Sequence, residues 1–409
     1  MIHMEKVLKE IDFLIGNRCV TVDDLLNQRS FDVFSNITLD FLSDISKQLL
    51  TSPLVRKYPD VATFAFYCRE ANLKVIRMNY TSDIKFMIGR GILFHIAPGN
   101  VPVNFAYSLM AGLLTGNINI VRLPSNNFEQ VNIIVAAIKK VLEFEKYKII
   151  FSNRLFLIKY NRESAATGFF SKLCDIRIVW GGDQTINEIR KFPISPKSTE
   201  VTFSDRYSIA IIDAQSYLNI KDKSKVALDF YNDTFLFDQN ACTSPQTIYW
   251  KGSIDEIRDA QDVFWKNLHM ILVEKRYESQ PISSVDKLTM FYSQAISYGD
   301  IEIEPRISNL IWRIKNKSIH RDIELYKCNS GYFNEIFISS LDEISQVVSR
   351  KYQTIGYLGF AIEELQAWII NNRLLGVDRV VPLGRTMDFS LIWDGYDLIN
   401  TLSRKIVLY

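Results

Sequence analysis

From Ile88 to Trp180 the chain alternates short, nearly continuous apolar runs with longer stretches whose apolar residues recur every three or four positions. GILFHIA precedes FAYSLMAGLL, INIVRL precedes FEQVNIIVAAIKKVLEF, and RLFLIKY precedes a short polar helix and then DIRIVW. Runs that are apolar at every position suit strands covered on both faces, and the stretches between them suit crossover helices. This predicts parallel strands in a doubly wound α/β domain. A second run of the same kind begins after Cys242: TIYW, helices over 254–273 and 285–296, then NLIWRI, IELY and YFNEIFIS, a helix near 341–349, TIGYLGF, and a helix over 363–372. Residues 1–80, with apolar spacing in VLKEIDFLI, LDFLSDISKQLL and ATFAFYCREANLKVI, read as a helical layer. The pattern divides the chain into 1–235 (helical layer and first α/β domain), 236–376 (second α/β domain) and 377–409. The last segment reads as strand, Gly-rich stretch, helix and terminal strand, returning to the first domain or to a partner subunit.

Composition narrows the function classes. With 409 residues, 47% hydrophobic and 23% charged, this is an ordinary globular chain large enough for two or three domains. A formal net charge of +2, with Lys and Arg dispersed, gives no nucleic-acid footprint. The five cysteines lack CxxC spacing, which argues against disulfides and structural zinc and for a reducing, cytoplasmic setting. His3, His95, His269 and His320 show no metal-binding spacing, so no metal is expected. The N-terminus has no h-region, and the most apolar stretch, 101–114, is too short for a membrane span.

Five segments carry candidate chemistry. In DQNACTSP, Cys242 lies in a turn between a helical and a strand pattern, flanked by polar residues, unlike Cys19, Cys68, Cys174 and Cys328. It is either a nucleophile or one more small buried thiol. In HIAPGNVP, two prolines (Pro98 and Pro102) and Gly99 stiffen the turn around Asn100, which either donates to an oxyanion or caps the next helix. In VRLPSN, Arg122 and Ser125 end a strand, where Arg122 suits a phosphate or a surface ion pair. In WGGDQT, Gly181 and Gly182 lead into a helix start at Thr185 that favours pyrophosphate, although Asp183 at the cap counts against tight binding. In NEIF, Glu335 is a lone carboxylate in an apolar strand, solvated at an edge in the plainest reading.

Taken in order, IAPGNVP, IVRLPS, WGGDQT, FDQNACTSP, NEIF and VPLGRTMDFSLIWDGYDLI resemble the acyl-CoA reductases of the aldehyde dehydrogenase superfamily, of the fatty-acid reductase type found in bacterial bioluminescence. The resemblance covers about residues 85–409 and implies an aldehyde dehydrogenase-like fold with a cofactor domain and a cysteine domain. It makes Cys242 the cysteine that forms the acyl-enzyme, with Asn100 and the cysteine's own amide as the oxyanion hole. It places Arg122 where a ribose-contacting lysine usually stands, a change compatible with NADPH. Pro98, Ser125, Gly181, Gly182 and Thr185 fall around the cofactor, and Glu335 on the nicotinamide ribose. One departure stands out: the general-base glutamate of the aldehyde oxidisers falls on Phe203, with Glu200 three residues earlier as a register-shifted substitute.

The resemblance therefore implies an acyl-thioester reductase, taking acyl-CoA or acyl-protein to an aldehyde with hydride from NADPH. Such an enzyme is expected to be a homo-oligomer and to work beside an acyl-activating partner enzyme. Two other readings stay open: a CoA-acylating aldehyde dehydrogenase running oxidatively, and a non-catalytic subunit of an acyl-transfer complex.

Overall fold

A computed structural model describes residues 4–80, 84–305 and 308–407. It divides into two compact units: unit 1 comprises 1–204 with 396–409, and unit 2 comprises 205–395.

Unit 1 is built on a six-stranded sheet. Its strands are β1 (Asp12–Ile15), β3 (Ile92–Ile96), β4 (Ile118–Arg122), β5 (Leu155–Lys159), β6 (Ile176–Trp180) and β7 (Thr199–Phe203), in the order β1-β5-β4-β3-β6-β7. All neighbours pair in parallel except β1, which runs antiparallel to β5. The apolar runs form these strands because helices cover both faces; every residue of Ile92–Ile96 is buried. Helix Asn104–Leu114 packs so closely that a Cβ on Gly112 would lie 1.9 Å from Asn119 Oδ1. Within that seam His95 is fully buried between Ser108 (2.7 Å) and Asn119 (3.1 Å). Burial drops its imidazole to about 4, so it is neutral and structural.

The N-terminal reading needs one correction. Helices do run over Asn36–Leu50, Pro59–Tyr67 and Glu70–Met78, but the DFLI of VLKEIDFLI is strand β1. Four residues of alternating burial beside the open edge of β5 gain more from pairing than from a short helix. At the other end, the strand Ser403–Lys405 pairs antiparallel with β2 (Met87–Gly89).

Unit 2 holds a seven-stranded sheet of β8 (Tyr207–Asp213), β9 (Pro245–Lys251), β10 (Ile301–Ile303), β11 (Trp312–Asn316), β12 (Tyr332–Ile338), β13 (Tyr352–Leu358) and β14 (Arg379–Pro382). The order is β10-β11-β12-β9-β8-β13-β14, parallel apart from β10. One face packs on helices Lys223–Thr234 and Ile254–Glu274 through Phe230, Phe264, Trp265, Trp250 and Phe333. Burying side chains of this size contributes about 1.5–3 kcal/mol each. The expected boundary at 235 shifts to 204/205, because β8, fully buried from Tyr207 to Ile212, is a central strand of this sheet. IELY is not a strand but a 3₁₀ turn, Ile323–Leu325. Among the described residues no helix is long and apolar enough to cross a membrane.

Candidate active site

Cys242 occupies a turn fixed from below by a buried glutamine. After helix Lys223–Thr234 the chain turns through Asp238 and Gln239, both left-handed (φ +51° and +60°), an uncommon conformation for non-glycine residues. Gln239 holds them there: it is 1% exposed, and its Nε2 donates to the carbonyls of Pro245 (2.9 Å) and Tyr332 (3.1 Å). Its Oε1 accepts from the amides of Gly331 (3.0 Å) and Tyr332 (3.2 Å). The turn is thereby tied to the start of β9 and of β12. Ser208, at the start of β8, donates its hydroxyl to the Cys242 carbonyl at 2.6 Å.

Cys242 keeps some solvent exposure, whereas Cys68 and Cys174 are buried. Burial of the sulfur, reinforced by the Asp394 carboxylate, nonetheless pushes its thiol up to about 11. The Gln353 side chain, the Arg206 guanidinium and the cysteine's own amide pull the other way. Gln353 in turn donates to Asp394. Arg206 donates to the carbonyls of Tyr352 and Gly376 (2.6 Å each) and to Asp378 (2.5 Å), and lies 4.0 Å from Asp394.

A loop after β14 lies against the cysteine turn: Thr243 donates to Met387 Sδ at 3.2 Å, and Ser244 approaches it at 3.9 Å. A buried carboxyl and a guanidinium fix this loop's backbone. Asp233, fully buried, accepts from the amides of Gly384 (2.6 Å) and Thr386 (2.9 Å). Arg379 donates to the carbonyls of Thr386 (2.7 Å), Arg385 (3.0 Å) and Asp388 (2.6 Å). Gly384 is left-handed, and a Cβ there would meet Asp229 Cβ at 2.6 Å.

In unit 1 the strand order reverses direction between β3 and β6, and ligands of open α/β sheets bind beyond the carboxyl ends at such a point. Two of the expected segments flank it. Pro98 and Asn100 follow β3, Asn100 exposed and Pro98 buried. The next helix has Val103 at its cap position, so Asn100 does not cap it. Gly181 and Gly182 follow β6; Gly182, not Asp183, is the N-cap of helix Asp183–Arg190, with no side chain bonded there. A Cβ on Gly181 would press on Thr185 at 3.2 Å. The neighbouring loop joins in, since Asn126 donates to the Gly99 carbonyl at 2.9 Å. Arg122, at the end of β4, lies over the Tyr160 ring (4.8 Å), and its Nε is buried without a partner; Ser125 is exposed. A free donor, an uncapped helix start and open space around Gly99 suit a dinucleotide bearing phosphates.

Two expectations are settled differently. Glu335 is completely buried; its Oε1 accepts from Trp250 (2.9 Å), Gln261 (2.8 Å) and Trp265 (2.8 Å), and its Oε2 from Arg313 (2.8 Å). It shares the helix-covered face of β12 with Phe333, which fits neither a solvated edge nor a ribose contact. Glu200 is tied through one oxygen to Arg177 (2.5 Å) and through the other to Arg190 (2.8 Å), so it is no free base. Phe203, the residue expected at the general-base position, stacks on Trp180 at 3.7 Å.

The profile of the acyl-CoA reductase (LuxC) family matches residues 76–405, four fifths of the chain. The chain belongs to the acyl-CoA reductase family. A family relative, the long-chain acyl-protein thioester reductase of Photorhabdus laumondii, is 22% identical over 338 residues, covering 78% of this chain and 63% of that protein. The corresponding reductase of Aliivibrio fischeri is 27% identical over 164 residues, 40% of this chain and 32% of its own. The chain thus spans less than two thirds of these relatives. Solved structures share the aldehyde dehydrogenase fold. An NAD-dependent benzaldehyde dehydrogenase from Corynebacterium glutamicum superposes with TM-score 0.62 at 8% identity, covering 96% of this chain and 93% of its own. A glyceraldehyde-3-phosphate dehydrogenase from Methanocaldococcus jannaschii, solved with NADP, gives 0.59 at 13% identity, covering 94% and 90%. Within this family member, sequence reasoning missed Gln239, Gln353, Asp394, Arg206, Asp233 and Arg379. Gln239 and Asp233 stand three and nine residues before the cysteine; the other four are brought near by strand order and the chain after β14.

Proposed function

We propose that this chain reduces an acyl thioester, acyl-CoA or acyl-protein, to an aldehyde through an acyl-enzyme on Cys242. The observation that carries the reading is a partly exposed cysteine held in a rigid turn among hydrogen-bond donors, in a chain of the acyl-CoA reductase family. The Cys242 thiol gives up its proton and its sulfur attacks the thioester carbonyl; the new C–S bond forms, the old one breaks, and the leaving thiolate takes up that proton. The Cys242 amide, with Asn100 as the proposed side-chain donor, stabilises the oxyanion. A nicotinamide dinucleotide, when bound, supplies the hydride that releases the acyl group as aldehyde.

Arg122, with its unpartnered Nε, supports NADPH over NADH. Pro98, Ser125, Gly181, Gly182 and Thr185 remain the proposed cradle of the dinucleotide. Phe203 at the base position, with Glu200 engaged, supports reduction over hydrolysis of the acyl-enzyme. We further infer a cytoplasmic homo-oligomer served by an acyl-activating partner.

NADPH oxidation by the isolated chain across an acyl-CoA series tests this reading. Aldehyde formed in proportion to NADPH consumed is the expected result; aldehyde-dependent NADP reduction with no reverse reaction, or no turnover with any thioester, would overturn it.

A further inference from the structure

We propose that helix Pro281–Tyr298 of unit 2 is a self-association surface, on which a second copy of this chain packs the same helix end for end. The proposal rests on the reading of the chain as a homo-oligomer and names the face that joins two copies. The chemistry of Cys242 does not enter it.

This helix buries polar side chains and exposes apolar ones. Its fully buried positions are Lys287 and Gln294. Lys287 Nζ donates to the carbonyls of Asn309 (2.7 Å) and Ser330 (2.9 Å). Gln294 Nε2 donates to the side-chain oxygens of Asn316 (3.0 Å) and Asn334 (2.7 Å), and its Oε1 accepts from the Tyr332 hydroxyl at 2.8 Å. Unpairing buried polar groups is costly, so these bonds prevent the helix from rolling to bring another face inward. The face left outside is apolar: Ile282, Val285 and Tyr292 are each 57% exposed, Leu288 is 44% and Ile296 is 86%.

The exposed residues form a seam that matches itself. Ile282, Val285, Thr289, Tyr292 and Ile296 follow one another at intervals of three and four, the spacing with which two helices interlock. A second copy lying antiparallel, about an axis between Met290 and Phe291, sets Val285 against Ile296 and Thr289 against Tyr292 on both sides of that axis. That is the isologous match a two-fold pair requires. Charge agrees, because the helix carries only Asp286 and the inward Lys287, so a like copy brings little repulsion into the seam. The stripe offers about 600 Å² per copy, and a pair buries about 1,200 Å², the size at which specific interfaces begin. A lipid surface suits it less, since a helix lying on one presents Lys or Arg beside its apolar face, and here the one Lys is buried.

Sedimentation of the full chain, without substrate or cofactor, tests the pairing. The native chain should run as a dimer or an even multiple of one. Val285→Glu with Ile296→Glu, both at exposed positions, sets like charges across the seam and should halve the native mass at the same concentration, with the urea midpoint unchanged. Val285→Glu with Ile296→Lys sets opposite charges across the same layers and should associate more tightly than the doubly acidic variant. A native monomer, an unchanged mass in the doubly acidic variant, or no recovery in the oppositely charged one overturns the proposal. If the doubly acidic variant does not fold, Ile296→Ser replaces it and should weaken association about tenfold or more. Because no acyl substrate is used, failure of the proposed reduction leaves this result interpretable.

Discussion

Gln239 and Tyr332 are joined twice, the glutamine Oε1 accepting the tyrosine amide at 3.2 Å and its Nε2 donating to the tyrosine carbonyl at 3.1 Å. A side chain three residues before Cys242 thus replaces a piece of backbone pairing between β12 and the cysteine turn. Gln239→Leu leaves several buried backbone groups unpaired and should lower stability by about 2–3 kcal/mol. Urea unfolding would show this, together with slower Cys242 alkylation; unchanged stability would mean the turn is held by other contacts.

Glu335 separates two roles by one substitution. As a buried carboxylate receiving Trp250, Gln261, Trp265 and Arg313, it should be costly to alter: Glu335→Gln sets an amide against Arg313 or a tryptophan and should destabilise by about 3 kcal/mol. NADPH affinity of the folded variant, measured by fluorescence titration, should stay within about twofold. A tenfold loss of affinity at unchanged stability would restore the ribose role.

Asp233 links the loop beside Cys242 to pH. Burial, outweighing its two amide hydrogen bonds, pushes this carboxyl up to about 7, above its unfolded value near 3.8. The folded chain then binds a proton that the unfolded chain has released, so this group's stabilising contribution is full below about 4 and is lost as pH rises to about 7. Asp233→Asn should remove that decline from urea midpoints measured between pH 5 and 8. An identical pH slope in both proteins would exclude Asp233 as its source.

Arg122→Leu should raise the KM for NADPH by about tenfold and leave that for NADH within about twofold, because the guanidinium favours the additional phosphate. Equal losses for both cofactors would place Arg122 on a part that they share.

The architecture was legible in the sequence because strands buried on both faces write themselves as continuous apolar runs, and β3 to β6 and β9 fall where those runs stand. DFLI misled because four residues of alternating burial look alike on a short helix and on an edge strand; only pairing with β5 decides. IELY was misread as a strand because composition does not show that Ile323 alone turns inward. The cysteine and the cofactor-edge loops were legible because each is compact in sequence. Gln353, Asp394 and Arg206 were not, since they stand 111, 152 and 36 residues from Cys242 in numbering and meet it through the order of β8, β13 and the chain after β14. The burial of Glu335 was not legible, because a motif carries identity but not burial.

A covalent acyl bond to the Cys242 sulfur is the central step of the proposed reduction. The full chain mixed with a radioactive long-chain acyl-CoA in the absence of NADPH, then digested, should carry label on the Cys242 peptide. Cys242→Ala should carry none while binding NADPH as the native chain does, and adding NADPH to the labelled native chain should release the label as aldehyde. Label retained by Cys242→Ala would contradict the assignment.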